Sequence, residues 1–138
     1  MICFFDTNVL VYTVDASAGR HRQIAQECFA ETLREHEVVL STQVLQEFFN
    51  VTTRKLRPPL SVREATEQMR QLARLQVLGT SAQSVLDAIA LAEQHQLSWW
   101  DALILEAALR AGAERLYSED GQHGRRFGSL EIVNPFLA

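Results

Sequence analysis

Four acidic residues, Asp6, Glu47, Asp101 and Asp120, occupy sequence contexts that ask for an explanation. Asp6 directly follows the apolar run Ile2-Cys3-Phe4-Phe5. A carboxylate at the end of such a buried strand is costly unless something pairs with it. The plainer alternative is a turn or helix cap, since Asp6-Thr7-Asn8 can start a helix. Glu47 lies three residues after Val44 and four before Val51. That spacing puts it on or beside the apolar stripe of a helix, either for chemistry or as an edge residue that reaches back to water. Asp101 sits near the start of a segment that is apolar nearly all round, Trp99-Trp100 and Ala102 to Leu105 with Ala107 and Ala108. Such a helix is expected to be buried. Ser98-Trp99-Trp100-Asp101 also has the form of a capping box, and a first-turn position favours the ionised carboxylate. Asp120 precedes Gly121, a common turn pair, and Glu119 is a rival for its role.

Taken together the four acids suggest one chemistry. Clustered carboxylates repel and hold their protons unless a cation neutralises them. Oxygen ligands without histidine or cysteine favour magnesium or manganese over zinc. Such an ion binds phosphate, activates water and offsets charge during in-line attack on phosphorus.

Short apolar strands alternating with helices must position these acids. Ile2–Phe5 reads as a strand, with a short helix starting near Val9 and a longer one over Arg20–Glu35. Val38–Leu40 reads as a second strand, and Ser41 caps a helix whose inner side carries Val44, Leu45, Phe48, Phe49 and Val51. Pro58-Pro59 breaks the chain, and Ser61-Val62-Arg63-Glu64 opens a helix to about Leu75. Gln76–Leu78 is a strand. Ser81 starts a helix to about His95, and Ser98 starts another through Ala111, stopped by Gly112. Leu116–Ser118 and Leu130–Val133 are strands, with residues 119–129 as a polar, glycine-rich loop. This alternation predicts a parallel sheet covered by helices, with ligands at the carboxyl ends of strands. Asp6 and Asp120 both fall just after strands.

The bulk figures allow this. The chain has 138 residues, enough for one domain, and 47% are hydrophobic. It shows no internal repeat and no uncharged apolar run near the roughly 20 residues of a membrane span. Met1–Leu10 carries Asp6 and no basic residue, unlike a secretory signal, so the cytoplasm is the expected location. Cys3 and Cys28 form no CxxC pair, and the four histidines lack zinc spacing. Seventeen acids against 13 bases, net −4, argue against wholesale coating of duplex nucleic acid. Lys55 is the only lysine. The arginine bias fits bidentate phosphate contact as readily as a GC-rich genome.

Four blocks in order carry a resemblance. They are Asp6-Thr7-Asn8-Val9-Leu10-Val11-Tyr12, Ser41 to Phe48 with Glu47, Trp100-Asp101-Ala102-Leu103-Ile104, and Leu116 to Asp120. With the tail Ile132-Val133-Asn134-Pro135-Phe136, the chain resembles PIN domains, in particular VapC-type toxins of toxin–antitoxin pairs, over essentially its whole length. The resemblance implies a single domain over residues 1–138, a three-layer α/β/α sandwich with a short, mainly parallel sheet. It implies a magnesium- or manganese-dependent endoribonuclease cutting single-stranded or looped RNA. Asp6, Asp101 and Asp120 would hold metal, with Glu47 acting through water or as base. Asn8 and Ser118 would orient carboxylates or waters. A homodimer and a cognate VapB-type antitoxin are also implied. Many relatives carry a further acid where this chain has Gln122, which bears on a second metal.

Other features have two readings each. Arg125-Arg126 could grip phosphate or be a solvated loop, Trp99 and Trp100 could stack a base or fill the core, and His123 could pass a proton or stand exposed. The apolar excess around Phe48, Phe49, Leu56, Met69 and Leu72 could meet a partner or belong to the core. Three other functions compete, one of them a structure-specific DNA nuclease on the same fold, which would need long extra segments that 138 residues are not expected to house. A phosphatase using Asp6 as nucleophile would want an acid at residue 8 and a placed lysine. A non-catalytic RNA- or protein-binding module on the same fold would tolerate loss of an acid, whereas all four are present.

Overall fold

The structure is a computed structural model that describes residues 1–137. Strand β1 (Ile2–Phe5) leads through α1 (Thr7–Tyr12) and α2 (Arg20–Glu35) to β2 (Glu37–Ser41). Helices α3 (Thr42–Arg54) and α4 (Val62–Leu72) lead to β3 (Gln76–Leu78), and α5 (Ala82–His95) and α6 (Trp99–Arg110) to β4 (Arg115–Tyr117). Strands β5 (Arg126–Phe127) and β6 (Leu130–Val133) close the chain. The sheet order is β3-β2-β1-β4-β6-β5. Every pairing is parallel except β5 against β6. The architecture is thus the expected helix-flanked, mostly parallel sheet.

Connectivity decides where a site can form. From β1 the chain moves outward to β2 and β3, then returns through α5 and α6 to β4 on the other side of β1. Right-handed crossovers place α1–α4 on one face of the sheet and α5–α6 on the other. The reversal opens a crevice between the carboxyl ends of β1 and β4, where such sheets bind ligands. Asp6 follows β1 and Ser118 follows β4, and the Asp6 amide donates to the Tyr117 carbonyl at 2.9 Å.

The packing beneath the crevice is apolar. Phe4, Phe5, Leu10, Leu40, Val44 and Phe48 are all essentially fully buried. Phe5 packs edge-on against Phe29 of α2 at 5.1 Å and stacks on Tyr117 at 4.8 Å. Each such side chain contributes about 1.5–3 kcal/mol through burial. On the other face, buried Glu106 pairs with Arg110 at 2.9 Å, and Arg110 also donates to the Gly79 carbonyl. That contact ties α6 to the end of β3.

Three sequence expectations need correction. The loop over residues 119–129 contains β5, which hairpins onto β6. The helix beginning at Ser61 keeps its reciprocal capping box but stops at Leu72. The first turn of α6 is exposed: Trp100 is 62% accessible, Trp99 37%, and Asp101 is exposed as well, with burial starting at Ala102. That turn lies at the crevice mouth with nothing packed over it, so its apolar residues are not core. Phe48, Leu56 and Leu72, by contrast, are buried and simply belong to the core.

Candidate active site

Asp6 is the centre of the crevice. It is only 8% accessible, because it ends a central strand and caps α1 at once. Its Oδ1 accepts from the Thr7 amide at 2.7 Å, and its Oδ2 accepts from the Ser118 hydroxyl at 2.8 Å. Both readings of Asp6, cap and site residue, therefore describe one side chain. Burial pushes its carboxyl pKa up to about 6 from 3.8. The two hydrogen bonds pull it down, and the charges of Asp120 and Glu47 add a smaller upward push. Desolvation, more than repulsion among acids, dominates here.

Asp120 is brought to Asp6 from the end of β4. Its amide donates to Ser118 Oγ at 3.2 Å, and its Oδ2 accepts from Asn8 Nδ2 at 2.9 Å. Asn8 Oδ1 in turn accepts from the Glu119 amide at 3.3 Å. Asn8 and Ser118 thus hydrogen-bond Asp120 and Asp6 respectively. Glu47, on α3, accepts from Thr7 Oγ1 at 3.0 Å and from Gln43 Nε2 at 2.8 Å. Asp101 is carried by α6, whose N-cap Ser98 accepts from the Asp101 amide at 3.2 Å.

Two openings share the Asp6–Asp120 pair. A cavity of about 230 Å³ is lined by Asp6, Ser98, Asp101, Ser118 and Asp120 and continues along Leu97, Ile104, Ile132, Gln122 and Arg125. A shallower one of about 300 Å³ is lined by Asp6, Thr7, Asn8, Tyr12, Glu47 and Asp120. Asp101 and Glu47 therefore flank the central pair from opposite sides. Among the described residues no three acid, histidine or cysteine side chains stand close enough to hold a metal ion by themselves.

Glu119 is turned elsewhere. One oxygen accepts from the Tyr12 hydroxyl at 2.7 Å, and the other lies 3.2 Å from His21 Nε2. The His21 ring stacks on Phe136 at 4.4 Å, and Tyr12 meets the same ring edge-on at 5.0 Å. The Glu119 contact pushes the Tyr12 hydroxyl pKa up to about 12. Glu119 thus ties the segment after β4 to α1 and α2, where Phe136 of the tail also packs, leaving Asp120 to face the crevice. His123 accepts from the Asn134 amide at 3.0 Å and lines neither opening. Thr7, Gln43, Tyr12 and His21 were not singled out from the sequence. Gln43 was readable, four residues before Glu47 on one helix face. The others become visible only across elements.

The sequence matches the PIN domain family over residues 3–126. The chain belongs to that family. No curated protein matches it. Solved structures resemble it in fold at low identity. One is the Mycobacterium tuberculosis toxin VapC20, described as cleaving the sarcin–ricin loop, with 22% identity and a TM-score of 0.67 over 87% of this chain and 91% of that one. Another is a toxin–antitoxin complex from Klebsiella pneumoniae, at 19% identity and a TM-score of 0.70, covering 97% and 98%. A third is VapBC2 from Rickettsia felis bound to a DNA fragment from its promoter, at 19% and 0.66, covering 96% and 97%. In this PIN domain Asp6, Asp101 and Asp120 line the cavity at the carboxyl ends of β1 and β4.

Proposed function

We propose that this PIN domain is a divalent-cation-dependent endoribonuclease, the toxin of a toxin–antitoxin pair. The observation that carries the reading is Asp6, a buried carboxylate at the switch point of the sheet, with Asp120 beside it and Asp101 and Glu47 flanking. A buried acid whose neighbours are also acids is costly to ionise, and a hard cation lowers that cost.

The donor set fits Mg2+ or Mn2+, since it is all oxygen. Asp6, Asp101 and Asp120 would hold the ion, and Glu47 would reach it through water. The lack of a closed three-residue cage is compatible with an ion that keeps several waters. When bound, the cation supplies Lewis-acid activation of water and charge neutralisation at phosphorus. The protein's own groups do the rest. Ser118 and the Thr7 amide keep Asp6 oriented and favour its charged form. Asn8 holds Asp120. Thr7 and Gln43 leave Glu47 as an oriented carboxylate able to take a proton from attacking water.

The substrate is RNA with an accessible strand, in keeping with the sarcin–ricin loop named for VapC20. The partner is a VapB-type antitoxin, in keeping with the toxin–antitoxin complexes from Klebsiella and Rickettsia, and we place it over the acidic crevice. We also propose a homodimer. Leu86 and Ile89 on α5 and Trp100 on α6 are 58%, 48% and 62% accessible, and a second copy would cover them. No helix among the described residues is long and apolar enough to cross a membrane, and we place the protein in the cytoplasm with its RNA.

The test is cleavage of single-stranded RNA by purified protein with Mn2+ or EDTA, beside Asp101→Asn. Manganese-dependent cleavage lost in the variant supports the reading. RNA binding without metal-dependent cleavage would favour the non-catalytic binding module instead. Growth arrest on expression without an antitoxin tests the toxin role separately.

A further inference from the structure

The deeper of the two openings, the one lined by Asp101, is chemically two-sided. One end is acidic, while the rest is walled by Leu97, Ile104 and Ile132, which offer nothing to a hydrated cation or a phosphate. At its rim stand the Gln122 amide and the Arg125 guanidinium. Arg125 lies over the Phe127 ring at 4.7 Å and touches Gln122 only at 3.5 Å. Among the described residues it pairs with no carboxylate, whereas its neighbour Arg126 turns away to Glu131 at 3.7 Å. The two arginines are therefore not one basic patch: only Arg125 faces the crevice.

Apolar walls with a few convergent polar groups suit a flat organic ring. At about 230 Å³ the cavity is smaller than the roughly 300 Å³ of a typical drug-sized pocket. It admits one ring system and excludes a base pair. A nucleobase supplies apolar faces for Leu97, Ile104 and Ile132. Its edge supplies acceptors and donors for Gln122 and Arg125. To enter, the base must be unpaired and swung out of its stack.

We propose that this cavity binds an unpaired nucleobase next to the phosphate being cut, so that cleavage depends on base identity at one flanking position. The proposal rests on the ribonuclease reading for the word "cut", but the binding step can be measured without it. Methyl-labelled protein in EDTA is titrated with adenosine, guanosine, cytidine, uridine and, as control, ribose, followed by NMR. The expected result is shifts at the Leu97, Ile104 and Ile132 methyls with nucleosides and none with ribose. One nucleoside should bind at least fivefold tighter than another, and Gln122→Ala and Arg125→Ala should each weaken it severalfold. In parallel, wild type with Mn2+ is given a pool of random single-stranded RNA and the cut ends are sequenced. Bias at one flanking position that Gln122→Ala relaxes supports the proposal. Nucleosides that leave these methyls unmoved, or cut ends without flanking bias, overturn it while leaving the ribonuclease reading intact. Nucleoside binding without any cleavage sustains the pocket and removes the ribonuclease instead.

Discussion

Replacing Asp6 by asparagine exchanges a buried charge for a neutral side chain of nearly the same shape. The introduced amide oxygen can still accept from the Thr7 amide, and the Ser118 hydroxyl can rotate to accept where it now donates. What changes is the cost of ionisation. The folded protein holds Asp6 at about 6 against 3.8 for an unburied aspartate. That difference corresponds to about 3 kcal/mol, each pKa unit being about 1.4 kcal/mol. The folded pKa is raised, so the wild type is unpenalised below 3.8 and loses stability as pH rises through about 6. In EDTA, Asp6→Asn is therefore expected to match wild type near pH 3.8 and to be up to about 3 kcal/mol more stable at about pH 8. With a urea slope of about 1–3 kcal/mol per molar, the unfolding midpoint should rise by about 1 M or more. The assay is urea unfolding by circular dichroism from about pH 4 to 8, with EDTA and with Mn2+. Manganese should stabilise wild type and leave Asp6→Asn unmoved, narrowing or reversing the gap. A variant less stable than wild type at the alkaline end in EDTA, or a gap independent of pH, would refute the claim that desolvation of this carboxylate is a liability the fold tolerates for a cation.

Asp101→Asn should lower Mn2+-dependent cleavage at least a hundredfold, read by gel, while costing under about 1 kcal/mol of stability, since the carboxylate is exposed and only its helix-dipole contact is lost. Asp120→Asn should likewise remove most cleavage, whereas Glu119→Gln should keep activity within about tenfold. Glu119→Gln should lower the melting temperature instead, because the Tyr12 and His21 contacts weaken. Equal loss in both variants would mean that the assignment of Asp120 over Glu119 is wrong. Gly121→Ala would place a Cβ 2.7 Å from Ile132 Cγ2, so it should cost about 1–3 kcal/mol by denaturation and reduce cleavage by displacing Asp120. Wild-type stability in that variant would mean the loop yields freely.

Local structure was largely legible in the sequence. Arg20–Glu35, Gln76–Leu78 and Leu130–Val133 are elements with the bounds the pattern suggested, because apolar spacing and Ser caps act over a few residues. The hairpin strand Arg126–Phe127 was not legible, since two residues carry no periodicity and owe their pairing to β6. The expectation that Trp99 and Trp100 fill the core failed for a related reason. Composition says a helix is apolar, but whether a turn is covered depends on which layer reaches it. Of the two readings of the apolar excess around Phe48, Phe49, Leu56, Met69 and Leu72, core holds for Phe48, Leu56 and Leu72, while Phe49 and Met69 are part-buried, and an open apolar face lies on α5 and α6.

By itself the sequence determined which acids exist, which follow strands and which ride on helices, and the family blocks named them in order. Only the tertiary structure decided that β4 returns to the far side of β1, so that Asp6 and Asp120 share a crevice with Asp101 on one flank and Glu47 on the other. It also decided that Glu119 is spent on Tyr12 and His21, and that Arg125 but not Arg126 faces the cavity. The reason is physical. Capping and periodicity are short-range properties of neighbouring residues, whereas desolvation, a hydrogen-bond partner 112 positions away and the direction of a side chain exist only once distant segments pack.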